Sequence, residues 1–261
     1  MPAETDAPET EAAAPKKTFV QEVVETIKTV VYALMIAFVL RVVLFEPFTI
    51  PSASMQPGLL VGDYIVATKW NYGWSKHSIP FSPPLFNGRV LTFAGSPQRG
   101  DVVVFKLPRD PSQTYVKRLI GLPGDRVQVK AGVIYLNDKR VPHDPAGDAQ
   151  DPDLQRTVAQ FRETRPDGKS YVTFDQGPEH DGDDTEVYVV PEDHYFMMGD
   201  NRDNSQDSRW PEAIGVGFVP AENLIGKVRV VLVSWRGGAS LFNPITWVMR
   251  FDPTRIAKPV V

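Results

Sequence analysis

Gln113-Thr-Tyr-Val-Lys-Arg-Leu-Ile120, closed at once by Gly121-Leu-Pro-Gly-Asp125, decides how this chain folds. A short run rich in apolar residues and cut off by glycine and proline reads as a strand. Side chains alternate along a strand, so Lys117 and Arg118 face opposite ways. The same reading extends in both directions. Upstream, Arg99-Gly-Asp101 turns into Val102-Val-Val-Phe105, a run apolar enough for burial on both faces, and Tyr64-Ile-Val-Ala-Thr68 is another short strand. Downstream come Val127-Gln-Val129, Val133-Ile-Tyr-Leu136 and Lys139-Arg-Val141, with Asn137-Asp138 as a turn. Tyr171 to Phe174, Glu186 to Val190, Tyr195 to Met198 and Ile225 to Trp235 complete the strands, and Pro142 to Asp153 reads as a polar loop. Asp181-Gly-Asp-Asp184 lacks the full calcium-loop pattern and reads as a solvated turn. With 24 prolines and 19 glycines the chain has little room for long helices beyond its N-terminal region.

The bulk properties exclude several function classes. A net charge of -4 argues against a basic face for nucleic acid. The absence of cysteine removes disulfides, thiol nucleophiles and thiolate metal sites. The four histidines, His77, His143, His180 and His194, show no metal-ligand spacing.

Phe19 to Phe45 is of another kind. Its densest part, Thr29-Val-Val-Tyr-Ala-Leu-Met-Ile-Ala-Phe-Val-Leu40, is followed by Arg41 and Val42-Val-Leu-Phe45. The charge-free stretch is shorter than the ~20 residues of a spanning helix, but Arg41 and Lys28 lengthen it if their side chains reach for the interface. Three readings compete. A cleavable signal peptide would begin nearer the N-terminus and end in small residues, where Glu46-Pro47-Phe48 stands. The others are a buried helix of a soluble domain and a single membrane anchor. Position and the lysine flank favour the anchor, and Lys16, Lys17 and Lys28 put its N-terminal side in the cytoplasm. Before it, Met1 to Pro15 has almost nothing to bury and reads as a disordered acidic tail. Two further stretches carry exposed aromatics suited to a membrane surface or to a satellite core: Trp70 to Pro97, and the tail from Leu241 to Val261.

Directly after the apolar run, Ile50-Pro-Ser-Ala-Ser-Met-Gln-Pro-Gly-Leu59 sets two hydroxyls between prolines. If this segment is extended, Ser52 and Ser54 point the same way; the plain alternative is a membrane-proximal turn. A serine attacks only when a base takes its proton. A histidine base in a Ser-His-Asp triad is one reading the sequence leaves open, although no Gly-x-Ser-x-Gly elbow is present. A lysine can be the base if burial depresses its pKa from about 10.4. Lys117, inside a hydrophobic strand, is the first candidate, against the alternative of a strand-edge lysine that reaches for solvent; Lys106 is the second. Gly199-Asp-Asn-Arg-Asp-Asn-Ser-Gln-Asp-Ser-Arg209 is dense enough in polar groups to form a buried, mutually satisfied network.

Four stretches together resemble the bacterial type I signal peptidases, or leader peptidases: Pro51-Ser-Ala-Ser-Met-Gln-Pro57 with Gly62-Asp63; Arg99-Gly-Asp-Val-Val-Val-Phe-Lys106; Tyr115-Val-Lys-Arg118 with Gly121-Leu-Pro-Gly-Asp125; and Gly199 to Arg209. The resemblance implies a membrane-bound serine endopeptidase that removes signal peptides from exported preproteins, cutting after small residues with a Ser-Lys dyad. It implies Ser54 as nucleophile and Lys117 as base, with Ser52 and the Ser54 N–H at the oxyanion. Ser205 would orient the lysine. Arg118, Gly199, Asp207 and Arg209 would be structural at the site. Phe48, Ile50, Met55, Leu59, Tyr115 and Val116 would line the substrate pocket. The implied fold is mainly β, an antiparallel sheet or partial barrel with an inserted smaller β region, behind one transmembrane helix. In ranges, residues 1–18 would be the cytoplasmic tail and 19–45 the anchor. Residues 46–130 and 191–240 would form the catalytic core, 131–190 the insertion, and 241–261 a tail for the membrane surface. The implied partners are preproteins and the lipid bilayer, with no nucleic acid, metal or cofactor, in the bacterial inner membrane with the catalytic domain outside.

The chain departs from the family pattern at Ala53 and Gly58, which keep the site small, and in the longer stretch Trp210-Pro-Glu-Ala-Ile-Gly-Val216 before Gly217-Phe-Val-Pro220. Two rival classes are a self-cleaving repressor, which would need a DNA-binding segment where the apolar run stands, and a non-enzymatic, membrane-tethered β protein.

Overall fold

Val102 to Leu107 lies at the heart of the structure because both of its faces are apolar. In a computed structural model, which describes residues 18–90, 95–152, 154–237 and 243–261, Val102 and Val104 enter one core with Ile65, Ala67, Val228 and Val231. Val103, Phe105 and Leu107 enter a second with Leu119, Tyr195, Met197 and Leu224. The tail expected over residues 1–18 lies outside the described residues, Thr18 apart.

The described residues divide into two compact units, one ending at Leu40 and one beginning at Arg41. The first consists mainly of α1 (Phe19–Val43), whose 25 residues are all unburied. Its length and apolar composition fit a membrane span. At 1.5 Å per residue α1 is about 37 Å long, enough to cross a ~30 Å hydrocarbon layer.

In the second unit, β1 (Phe45–Thr49), β2 (Asp63–Thr68), β3 (Val102–Leu107) and β4 (Asp110–Gly121) come first. Then follow β5 (Arg126–Lys130), β6 (Val133–Leu136), β7 (Lys139–Arg140), β8 (His143–Asp151), β9 (Arg156–Thr164), β10 (Ser170–Asp175) and β11 (Tyr188–Val189). The series ends with β12 (His194–Met198), β13 (Val219–Pro220), β14 (Leu224–Ser234) and β15 (Lys258–Pro259), with a short α2 (Ile245–Met249) between the last two. The main sheet has eight strands in the order β1-β2-β14-β3-β4-β12-β13, with β15 on β14; β8 to β10 form a three-stranded sheet, and β5 to β7 with β11 a four-stranded one. All these pairings are antiparallel.

Among the described residues, two of the main sheet's open edges lie near the Ser52–Ser54 stretch. β1 pairs only with β2. β12 joins β4 from Arg118 onward, so the half of β4 before Arg118 has a neighbour on one side only, β3.

Some elements differ from the sequence reading. The stretch His143 to Asp151 is a strand, not a loop. Its residues are too polar to show an apolar alternation, and it is held by backbone pairing to β9 along its length. Glu46-Pro47-Phe48 is likewise part of a strand. Asp183 is buried and accepts from the His180 N–H, and Gly182 O accepts from Arg209, so the acidic turn is half inside. The tail splits in character. Ile245, Val248 and Met249 are exposed, whereas Arg255 is buried and Val260 packs on the first core. Leu241 and Phe242 lie outside the described residues.

Candidate active site

Ser52 and Ser54 stand where a strand gives way to a turn. Ala53–Met55 is a single 3-10 turn with Ser52 at its N-cap, so of the two readings, extended segment or turn, the turn is the one formed. The turn brings the two hydroxyls to 3.5 Å. It also places the Ser54 N–H in the first turn of a helix, where backbone donors lack intrahelical acceptors.

Lys117 reaches this turn from β4. Its Nζ lies 2.5 Å from Ser54 Oγ, and the side chain is buried, 2% exposed. No carboxylate is paired with it among the described residues. Burial disfavours the ammonium and, with Arg209 nearby, outweighs the pull of Asp207 and Asp200; the pKa falls from 10.5 to about 8. Lys106 has a different fate: its Nζ donates to Thr114 Oγ1 at 3.0 Å, away from both serines.

A cavity of about 840 Å³ opens over the pair. Phe48, Ile50 and Met55 form one wall, and Gln113 to Lys117 another. The first wall continues from the β1 edge into the Ser54 turn, and the second is the open half of β4. Leu59 corrects the expectation: it is 0% exposed and backs the wall from the core, because the turn at Met55 points it inward beside Ile50. The far end of the cavity is lined by His180, Asp181, Asp203, Asn204, Gln206 and Trp210. From sequence, His180 stood among the histidines, Asp181 in the acidic turn, and Asp203, Asn204 and Gln206 in the polar stretch, but none was placed in the substrate pocket. Trp210, a large aromatic directly after the Arg209 motif, was the one available signal.

Behind the cavity the stretch from Gly199 to Arg209 is a buried polar network. Gly199 allows it to approach: a Cβ there would run into Ser205 Oγ and the Ser54 carbonyl. Asn201 N donates to that same carbonyl at 3.1 Å. Asp207 accepts from Gly199 N and from Arg209 Nε, both at 3.0 Å. Burial raises the Asp207 carboxyl, but the Arg209 guanidinium and these donors outweigh it and hold its pKa below the usual carboxylate range. Arg118 forks onto Asp200, with two contacts of 2.7 Å, and stacks 3.8 Å over the Tyr171 ring. Arg202 forks onto Glu163, which also accepts from the Tyr171 hydroxyl. The Arg118–Asp200 and Arg202–Glu163 pairs were not legible as pairs, because the partners lie far apart in sequence.

Ser205 lines the cavity, 7% exposed, and its Oγ is buried without a hydrogen-bond partner among the described residues. The expected bond to Lys117 is therefore not made here; the lysine amine is directed at Ser54 instead. The arrangement can remove a proton from Ser54 and offers small apolar walls beside two unpaired strand edges.

A family model described as signal peptidase, peptidase S26, matches residues 23–235. The chain is 41% identical over 244 residues to a Signal peptidase I of Rickettsia typhi, covering 87% of this chain and 90% of that one. It is 42% identical over 236 residues to a Signal peptidase I of Rickettsia akari, covering 85% of each. A crystal structure of a signal peptidase I from Enterococcus faecalis aligns with a TM-score of 0.31 at 29% identity, over 51% of this chain and 96% of that one.

Proposed function

The chain belongs to the signal peptidase family, peptidase S26, and from that premise we propose that it cuts signal peptides with Ser54 as nucleophile and Lys117 as general base. As a member it is a serine endopeptidase acting on signal-peptide-bearing preproteins. The observation that carries the assignment is the 2.5 Å approach to Ser54 Oγ of a buried lysine with no paired carboxylate among the described residues. At pH 7 a lysine of pKa about 8 is neutral in about one molecule in ten, against fewer than one in a thousand for a free lysine.

The neutral amine takes the hydroxyl proton and Ser54 Oγ attacks the scissile carbonyl. The Ser52 hydroxyl and the Ser54 N–H hold the oxyanion, each donor worth roughly 3–4 kcal/mol. The lysine ammonium then passes its proton to the leaving amine, and water releases the acyl group. Ser205 accepts from the amine once the hydroxyl proton occupies the lone pair. Gly199, Arg118, Asp207 and Arg209 hold the frame. These steps use only the chain's own groups, with no metal, cofactor or nucleic acid.

The signal peptide enters as an added strand between the open half of β4 and the segment from Phe48 to Ser52. Along such a strand the first and third residues before the cut point the same way. They meet Phe48, Ile50, Met55, Tyr115 and Val116, backed by Leu59, which leave room for alanine-sized side chains. In this reading α1 anchors the protein once in the bacterial inner membrane, N-terminus in the cytoplasm, with the cleavage unit outside. Residues 46–130 and 191–240 serve as the catalytic core and 131–190 as an insertion. Trp247, Val248 and Met249 of the tail rest on lipid.

The test is incubation of the detergent-solubilised protein with a precursor. The wild type cleaves at one site, and Ser54→Ala and Lys117→Met each lower the rate by at least about 10³-fold with unchanged circular dichroism. Full activity in either variant overturns the dyad. The rate should climb with pH through about 8; a limb near 10.5 contradicts the burial argument.

A further inference from the structure

A buried ion pair lies behind the nucleophile and takes no part in the steps above. Arg255 ends a short helix of the tail, Pro253–Arg255, beyond the residues matched by the family model. It is buried, and Asp63 is completely so. Arg255 Nε donates to Asp63 Oδ1 at 2.7 Å. One terminal nitrogen pairs with Asp63 Oδ2 and also donates to Gly58 O at 3.0 Å. Asp63 Oδ2 accepts from Leu60 N at 2.8 Å as well. The Asp63 carbonyl accepts from Ile50 N, and Ile50 O from Gly62 N, both at 2.9 Å. One guanidinium therefore grips the loop from Ile50 to Asp63 at two points, Gly58 after the serines and Asp63 at its close. That loop carries Ser52 and Ser54. The same tail reaches the other half of the pair: Val261 O accepts from Arg118 at 2.8 Å, one residue from Lys117.

We infer that Arg255, acting through Asp63 and Gly58, is a positioning residue that holds the Ser52–Ser54 turn in line with Lys117. It touches neither substrate nor reacting atoms. The turn itself is held by three backbone bonds: Gln56 N to Ala53 O, Leu59 N to Met55 O and Asn201 N to the Ser54 carbonyl. A shift of about 1 Å at the reacting atoms can cost on the order of 10²-fold in rate. A forked guanidinium fixes two acceptors in one plane, which a lysine ammonium does not. The inference rests on the Ser54–Lys117 reading.

The experiment compares Arg255→Gln, Arg255→Lys and the neutral double variant Asp63→Asn/Arg255→Gln with wild type, in detergent, on a precursor peptide. Each variant that is folded at the assay temperature, by circular dichroism and melting, should lose roughly 10²-fold in kcat with KM within about threefold. The double variant removes the stranded buried carboxylate, so it keeps the test open if Arg255→Gln unfolds. The pH-rate limb of Lys117 should stay in place. Wild-type kcat in any folded variant overturns the inference. So does a limb moved up toward that of a free lysine, which would mean that the whole site has loosened. Ser54→Ala, run alongside, separates the two readings. If it remains active, the dyad fails; if it is dead while the Arg255 variants are fully active, only the positioning role fails.

Discussion

Lys117 and Arg118 are neighbours on β4, equally buried at 2%, and nominally alike in charge. The two faces of the strand treat them oppositely. Toward the cavity, Lys117 meets a hydroxyl and, among the described residues, no paired carboxylate, and burial depresses its pKa to about 8. Toward the interior, burial also opposes the charge on Arg118, but the forked contact with Asp200 outweighs it and raises the pKa. A buried cation with a counter-ion is a brace; one without it is a base. The alternation of a single strand supplies both, one residue apart, so the brace fixes the register at which the base is presented.

The sharpest way to break this contrast is to put the brace's chemistry on the base's side. Lys117→Arg keeps the charge but cannot be deprotonated near neutral pH, so activity should fall at least about 10³-fold at every pH from 6 to 10. Any recovery of rate at high pH would show that something other than a neutral side chain at this position accepts the proton. The converse change strips the brace. Asp200→Ala leaves Arg118 buried and uncompensated, and should cost about 3–5 kcal/mol of stability in denaturant melts. A loss under about 1 kcal/mol would mean that the Arg118 bonds to Gly100 O and Val261 O suffice alone.

A third effect is smaller and has a definite sign. Below about pH 8 both the folded and the unfolded chain carry the Lys117 proton, and the full cost of burying it is present. Between about 8 and 10.5 the unfolded chain binds more protons, so stability rises with pH. The total rise is worth roughly 3 kcal/mol. Lys117→Met should lack it, being the more stable protein at pH 7 by a margin that shrinks toward pH 10.5. A margin independent of pH would mean that the lysine is not buried as a cation.

Legibility in the sequence divides along the same line. β3 and the buried end of β4 were legible because both faces are apolar, and Lys117 stood out by interrupting such a run. Asp207 and Arg209 were readable as a pair because they are two residues apart. Asp200 with Arg118, Glu163 with Arg202 and Asp63 with Arg255 were not, since a side chain does not name a partner 82, 39 or 192 residues away. β8 was missed for a related reason. Its order comes from pairing with β9, and backbone hydrogen bonds leave no mark on side-chain polarity. The geometry at Ser54 stayed open between an extended segment and a turn, because Ser-x-Ser between prolines fits both; the structure makes it a 3-10 turn.

Ser205 is where the two faces meet, and it separates braces from catalytic aids at the smallest cost. Its hydroxyl is buried with no partner among the described residues, in the wall of the cavity that Lys117 also lines. A buried polar group that makes no bond adds nothing to stability, so Ser205→Ala should leave the melting free energy within about 0.5 kcal/mol or raise it slightly. If the hydroxyl is recruited only when the amine has taken the Ser54 proton, kcat should still fall, by roughly 10- to 100-fold, the worth of one hydrogen bond to a charged group. KM should hold. A matching loss of stability would class Ser205 with Arg118 and Asp207, as part of the frame. An unchanged kcat would leave Lys117 oriented by burial alone, with β4 as its only guide.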